Sequence, residues 1–186
     1  DDGKIVAGAH SHRSEIVVPG GASPVACVEN AFVQPTHRRQ GLLTRMMARQ
    51  LADIHERGEP QAALWPSESV IYGRFGYGVG TIHERWTIDR LHTGFARARQ
   101  TPGSVRFVEP DEVVGIFFEV YHRATRTRPG AIERPTFAWA SSFADIEGHR
   151  EGTSANFYVA YEEDGKVDGY VIHRVKGEAL IATELM

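Results

Sequence analysis

A chain of 186 residues with 41% hydrophobic and 24% charged side chains is long and apolar enough to bury a core, which excludes a disordered chain. A formal net charge of -3 gives no general basic field, so neither nucleic acid nor an anionic membrane is expected as a partner. Cys27 is the only cysteine and no apolar run approaches the roughly 20 residues that span a bilayer, so the expected compartment is the cytoplasm.

The start Asp1-Asp2-Gly3-Lys4 lacks an initiator methionine and the features of a signal peptide. The end Glu184-Leu185-Met186 follows directly on an apolar run. Both ends read as cut, and a piece of a larger protein is expected.

The first half reads as strand, strand, helix, strand. Ile5 to His12 and Ile16 to Val18 are short and β-rich. The turn residues Pro19 to Pro24 lead into the apolar run Val25 to Val33. From Gly41 to Arg57 the period changes: Leu42, Leu43, Met46, Met47, Leu51 and Ile54 recur at helical spacing, and Gly58 and Pro60 mark the stop. Gln61 to Trp65, closed by Pro66, suits a buried strand parallel to Val25–Val33, which makes a right-handed βαβ unit. Ser67 is placed to cap a short helix through Tyr72. The glycines of Gly73-Arg74-Phe75-Gly76-Tyr77-Gly78 predict an irregular loop before an alternating strand, His83 to Ile88.

Leu91 to Gly103 is polar and rich in Arg and Gly, and a boundary is expected there. Beyond it, Val105 to Val108 predicts a strand. Val113, Phe117, Val120, Tyr121 and Ala124 mark one helix, and Phe137, Trp139, Phe143 and Ile146 a second. Asn156 to Tyr161 and Val167 to Val175 flank the turn Glu163 to Lys166 as a hairpin.

Chemistry concentrates at Val33-Gln34-Pro35-Thr36-His37-Arg38-Arg39-Gln40-Gly41-Leu42-Leu43-Thr44. Here an apolar strand meets an amphipathic helix through a turn with two arginines and a glycine. Free N–H groups at a helix start, with Gly41 allowing close approach, can hold a pyrophosphate, and Arg38 and Arg39 can add charge-assisted bonds. The same residues also suit a basic turn that only closes the sheet. No Gly-x-x-x-x-Gly-Lys-Ser/Thr and no Gly-x-Gly-x-x-Gly follows the strand, so neither a nucleotide triphosphatase loop nor a dinucleotide fold is supported.

Thr36 to Leu43 resembles the pyrophosphate loop of the GNAT acetyltransferase superfamily, whose pattern is Arg or Gln, two residues, Gly, one residue, then Gly or Ala. Leu43 departs from the small last residue in the manner of the Eis-like (enhanced intracellular survival) branch. Ala63-Leu64-Trp65-Pro66-Ser67-Glu68-Ser69-Val70-Ile71-Tyr72-Gly73-Arg74-Phe75-Gly76-Tyr77-Gly78 resembles that branch nearly throughout, and Arg134-Pro135 and Trp139 agree with its second domain.

The resemblance implies an α+β GNAT acyl-CoA N-acyltransferase fold. Residues 1–100 would be the C-terminal part of a first GNAT domain and 101–186 the N-terminal part of a second. Asp164-Gly165-Lys166-Val167-Asp168-Gly169 repeats the opening Asp2-Gly3-Lys4-Ile5-Val6-Ala7-Gly8, in keeping with that order.

The resemblance further implies acetyl transfer from acetyl-CoA to a primary amine of a polycationic acceptor, an aminoglycoside, polyamine or lysine side chain, in a hexameric assembly. Ala31, Phe32 and Val33 would meet the pantetheine arm. Arg38, Arg39, Gln40, Gly41 and Leu42 would hold the pyrophosphate, with Ser67 and Glu68 close by. Tyr72 matches the family's general acid, although without the resemblance it reads first as a buried aromatic at the end of a short helix. Glu29 stands where many GNAT enzymes carry a base acting through water, or is a strand glutamate facing solvent. The Eis-like base is the terminal carboxylate of a third domain, a role Met186 does not inherit. A non-catalytic acyl-CoA sensor is the alternative, and a structural domain with an empty basic turn a third.

The remaining polar features read more plainly. His10 and His12 stand two apart on a strand with no neighbouring Cys or third His, so surface histidines and no metal are expected. Cys27 reads as a small core residue, Tyr77 as packing, and Trp86 and Trp139 as core aromatics.

Overall fold

The computed structural model describes residues 3–97 and 101–186. Residues 98–100 of the expected boundary, and Asp1 and Asp2 of the repeat, lie outside the described residues. The described chain forms two compact units, residues 1–82 with Arg128–Glu133, and residues 83–127 with 134–186.

In the first unit β1 (Ala7–Val18) and β2 (Gly21–Val33) form an antiparallel hairpin. The two runs expected before the turn are one continuous strand. Pro19 and left-handed Gly20 (φ 91°) occupy the central positions of the connection in the pattern of a type II turn, which needs a positive φ at its second central residue. β3 (Gln61–Leu64) pairs with β2 in parallel, giving the sheet order β1-β2-β3, and α1 (Leu42–Glu56) is the crossover between them. Its stop is a Schellman motif: Gly58 (φ 72°) donates to the His55 carbonyl (3.0 Å) and Glu59 to that of Ile54 (3.2 Å). Ala26 and Val28 of β2 pack with Ile54, Leu51, Ala62 and Leu64, so even-numbered residues of this part of β2 face α1. Their odd-numbered neighbours point to the opposite side of the sheet.

Arg128–Glu133 runs antiparallel along β1. Val17 N–H donates to Ala131 O and Glu133 N–H to Glu15 O, each at 2.8 Å, with a bridge between Ile16 and Ile132. The hydroxyl of Ser14 donates to Glu133 O at 2.7 Å.

The second unit is a four-stranded antiparallel sheet of order β4 (Ser104–Phe107), β5 (Phe157–Glu163), β6 (Lys166–Lys176) and β7 (Ala179–Leu185), with α2 (Val113–Thr125) and α3 (Thr136–Phe143). Its core is aromatic. Phe117 stacks on Tyr170 with centroids 4.0 Å apart, and buried Trp139 donates its indole N–H to Arg134 O (3.1 Å) while the Arg134 guanidinium lies 4.4 Å above its ring. These are the helices and hairpin expected from the apolar spacing.

Two local expectations differ. No strand forms over 83–88, where Trp86 is 78% exposed, so Trp86 is not a core residue: a strand exists only by pairing, and no described residue pairs with this one. After β3 the short helical turn is Ser69–Ile71 with Glu68, not Ser67, at its cap position and no side-chain bond. Among the described residues no helix is long and apolar enough to cross a membrane.

Candidate acyl-CoA site

β2 and β3 are hydrogen-bonded only from Val25/Gln61 to Val28/Leu64. Past that point β3 ends at Leu64, while β2 continues to Val33 with one edge held by β1 and the other paired with no strand among the described residues. The divergence coincides with a β-bulge. Gly8 pairs with Phe32 and His10 with Glu29, so Asn30 and Ala31 together oppose Ala9. Asn30 takes the left-handed conformation (φ 54°) that the bulge requires, one that Asn tolerates better than most residues.

The divergence opens a cleft of about 190 Å³ lined by Val28, Glu29, Asn30, Ala31, Leu64, Trp65, Ser67 and Tyr72. Four of the residues expected at the site, Glu29, Ala31, Ser67 and Tyr72, therefore share one cavity. Asn30 and Trp65 were not anticipated there. An Asn beside Glu29 in a mostly apolar strand was the available signal for the first; nothing in the sequence distinguishes the second from core. Tyr72 is half-buried with its ring edge-on to Tyr77 at 6.0 Å. The Tyr77 hydroxyl is buried without a hydrogen-bond partner. Burial, and secondarily the neighbouring Tyr72, pushes its phenol above the ordinary value, so Tyr77 stays protonated.

Glu29 is half-exposed, with Oε2 4.0 Å from Nδ1 of His10. Glu68 is exposed, does not line the cleft, and accepts the Ile71 N–H through its backbone carbonyl at 3.3 Å. Phe32 is 46% exposed, and its ring lies where a side chain on Gly8 would stand, 2.8 Å from the ideal Cβ position.

The second group lies at the start of α1. Pro35–His37 forms a single helical turn, Arg39 is left-handed (φ 62°) and Gly41 also (φ 74°). Gly41 sits at the N-cap of α1 with no side-chain cap and no acidic residue in the first turn. The leading N–H groups and the positive end of the helix dipole are thus left for an anion. Nothing lies within 4 Å of where a Cβ on Gly41 would stand. Arg38, Arg39 and Gln40 are exposed, Leu42 is half-buried, and neither arginine is ion-paired or hydrogen-bonded through its side chain to any described residue. An open backbone cradle, an uncapped helix start and two uncommitted guanidinium groups suit a pyrophosphate.

Residues 1–80 match the acetyltransferase (GNAT) domain family. That stretch holds both halves of the site. Residues 1–80 belong to the GNAT acetyltransferases. The whole chain carries the GNAT fold: it is similar to the crystal structure of Eis1 from Mycobacterium abscessus, with a TM-score of 0.73 at 29% identity, covering 100% of this chain and 48% of that one. It is 42% identical over 175 residues to an uncharacterized N-acetyltransferase of Streptomyces avermitilis, covering 91% of this chain. It is 37% identical over 165 residues to the N-acetyltransferase Eis of Mycobacterium tuberculosis, covering 86% of this chain. The chain spans 42% and 40% of the length of these two relatives.

Proposed function

We propose that this chain carries the acyl-CoA site of an N-acetyltransferase that moves an acetyl group from acetyl-CoA to a primary amine of a polycationic acceptor, an aminoglycoside, polyamine or lysine side chain. The observation that carries the reading is the divergence of β2 from β3 beside an uncapped, arginine-flanked helix start. A free strand edge and an anion cradle on one βαβ unit are what an extended pantetheine pyrophosphate needs. In this reading the backbone of Ala31 and Val33 pairs with the pantetheine arm, with Phe32 between them, and Ser67 and Glu68 stand at the end of β3. Arg38, Arg39, Gln40, Gly41 and Leu42 hold the pyrophosphate.

Bound acetyl-CoA supplies an activated acetyl group and a thiolate leaving group. A lysine-type amine, with a pKa near ~10, must lose a proton before it attacks, and the Glu29 carboxylate on the cleft wall can accept it directly or through water. Tyr72, whose phenol hydroxyl can donate a proton, hands its Oη proton to the departing sulfur. The names of the similar Eis proteins support the amine acceptor class. The domain halves at 1–100 and 101–186, a cytoplasmic site of action and a hexameric assembly belong to the same proposal.

The test is thiol release from acetyl-CoA in the presence of a panel of aminoglycosides, polyamines and lysine peptides. Amine-dependent turnover is expected. In Tyr72→Phe it should fall by roughly 10²–10⁴-fold, the range for loss of a general acid, with coenzyme A affinity unchanged. Tight coenzyme A binding without turnover would convert the reading to a sensor, and absence of binding would reject it.

A further inference from the structure

The β1–β2 hairpin collects three metal-type donors on the sheet face opposite α1. His10 and His12, two apart on β1, project from the same side, and the register sets His10 against Glu29 and His12 against Cys27 on β2. One donor atom from each of His10, His12 and Glu29 lies within 4.8 Å of the other two, and the two imidazole centroids are 5.9 Å apart. The third donor was invisible to sequence spacing because it comes from the partner strand.

We propose that His10, His12 and Glu29 form a binding site for a divalent transition metal of the zinc class. Two imidazoles and a carboxylate match the ligand preference of Zn²⁺ and its first-row neighbours, whereas Mg²⁺ and Ca²⁺ take oxygen donors. A metal about 2.0–2.2 Å from each ligand atom needs the donors to close to within about 3.5 Å of one another. The outer ring of His10 is exposed and Glu29 is half-exposed, so rotation about their side-chain torsions closes that gap without moving the strands, the terminal ring and carboxylate torsions being broad. The metal would take the place of the loose 4.0 Å approach of His10 to Glu29.

Cys27, opposite His12, is not a ligand. It is buried, and its sulfur is not among the donor atoms that lie within 4.8 Å of one another. The set is therefore two histidines and one glutamate, leaving further positions for water.

Glu29 also lines the cleft, so metal occupancy and proton acceptance by its carboxylate exclude each other. That consequence rests on the proposed acetyl transfer; the metal site itself does not, and it is tested without coenzyme A.

The experiment is calorimetric titration of tag-free, chelator-treated protein with zinc chloride, repeated with magnesium chloride, and with the cobalt(II) absorption spectrum as a second readout. One equivalent of zinc should bind per chain, magnesium should not, and cobalt should give a spectrum free of a thiolate charge-transfer band. His12→Ala and Glu29→Gln should lose the stoichiometric phase, and Cys27→Ser should keep it. If His12→Ala changes the circular dichroism, the exposed His10→Gln takes its place. Uptake that is substoichiometric, that survives in the histidine and Glu29→Gln variants, or that disappears with Cys27→Ser overturns the proposal.

Discussion

At the scale of single residues, the loop before α1 is unusual for what its side chains leave undone. Arg38 and Arg39 are exposed and their side chains bond to no described residue, and Arg39 holds a left-handed backbone that is costly for a side chain with a Cβ. Neither contributes to the core, and in the proposed reading both serve the ligand. Arg38→Ala and Arg39→Ala are each expected to weaken coenzyme A binding by about 10–100-fold, the loss of a charge-assisted bond of roughly 1.5–3 kcal/mol. The thermal midpoint should stay near that of the parent. Isothermal titration beside a melting curve checks both halves, and a large drop in the midpoint would make these arginines structural. The turn itself was legible from sequence because it is local: a glycine and two arginines between a strand and a helix suit an anion, as they also suit a basic turn that only closes the sheet. Glu29 with His10 and His12 was not, because only the hairpin register brings those three residues together.

At the scale of elements, the cleft exists because β2 outlasts β3 and is bent by a bulge at Asn30 and Ala31. The strand, helix and strand were readable from periodicity, and the stop of α1 from Gly58. The bulge was not, since a change of register leaves no mark on an apolar run except the tolerance of one residue for a positive φ. Asn30 is that residue (φ 54°). Asn30→Val, β-branched and ill-suited to a left-handed backbone, is expected to cost about 1–2 kcal/mol and to pull the strand toward a regular ladder. Asn30→Gly should be tolerated with acyl-CoA affinity kept. Urea midpoints and coenzyme A titrations of the two variants separate backbone geometry from any role of the amide side chain: if Gly loses affinity as Val does, the side chain itself is required. The failed strand at 83–88 carries the complementary lesson. His83 to Ile88 alternates correctly, but alternation specifies only which side chains would share a face, and the partner edge that makes a strand is absent among the described residues.

At the scale of the whole molecule, a pH-sensitive feature lies far in sequence from the candidate cleft, in the second unit. Asp145, after α3, accepts from the backbone N–H of Asn156 (2.8 Å), Nε of Arg150 (3.1 Å) and a terminal nitrogen of Arg174 (3.0 Å), tying the end of the helical segment to the β5–β6 hairpin. Burial by itself would raise the carboxyl pKa. The Asn156 N–H and the guanidinium groups of Arg150 and Arg174 outweigh it, and the net displacement is downward. A carboxylate depressed in the folded state binds fewer protons there than in the unfolded chain. It therefore contributes stability above the unfolded value of about 3.9 and loses that contribution as pH falls through the folded value. With a side chain only 16% exposed, screening by solvent is limited, and charged hydrogen bonds of this kind contribute roughly 1.5–3 kcal/mol. Asp145→Asn should lower the stability of the second unit by about 2 kcal/mol at pH 7. The difference from the parent should shrink as pH falls below about 4, because the parent then carries a neutral carboxyl in the same position. Urea unfolding of both proteins from pH 7 to pH 3 measures this directly. A gap that stays constant across that range would mean that Asp145 acts by shape and hydrogen-bond geometry, with its charge contributing nothing.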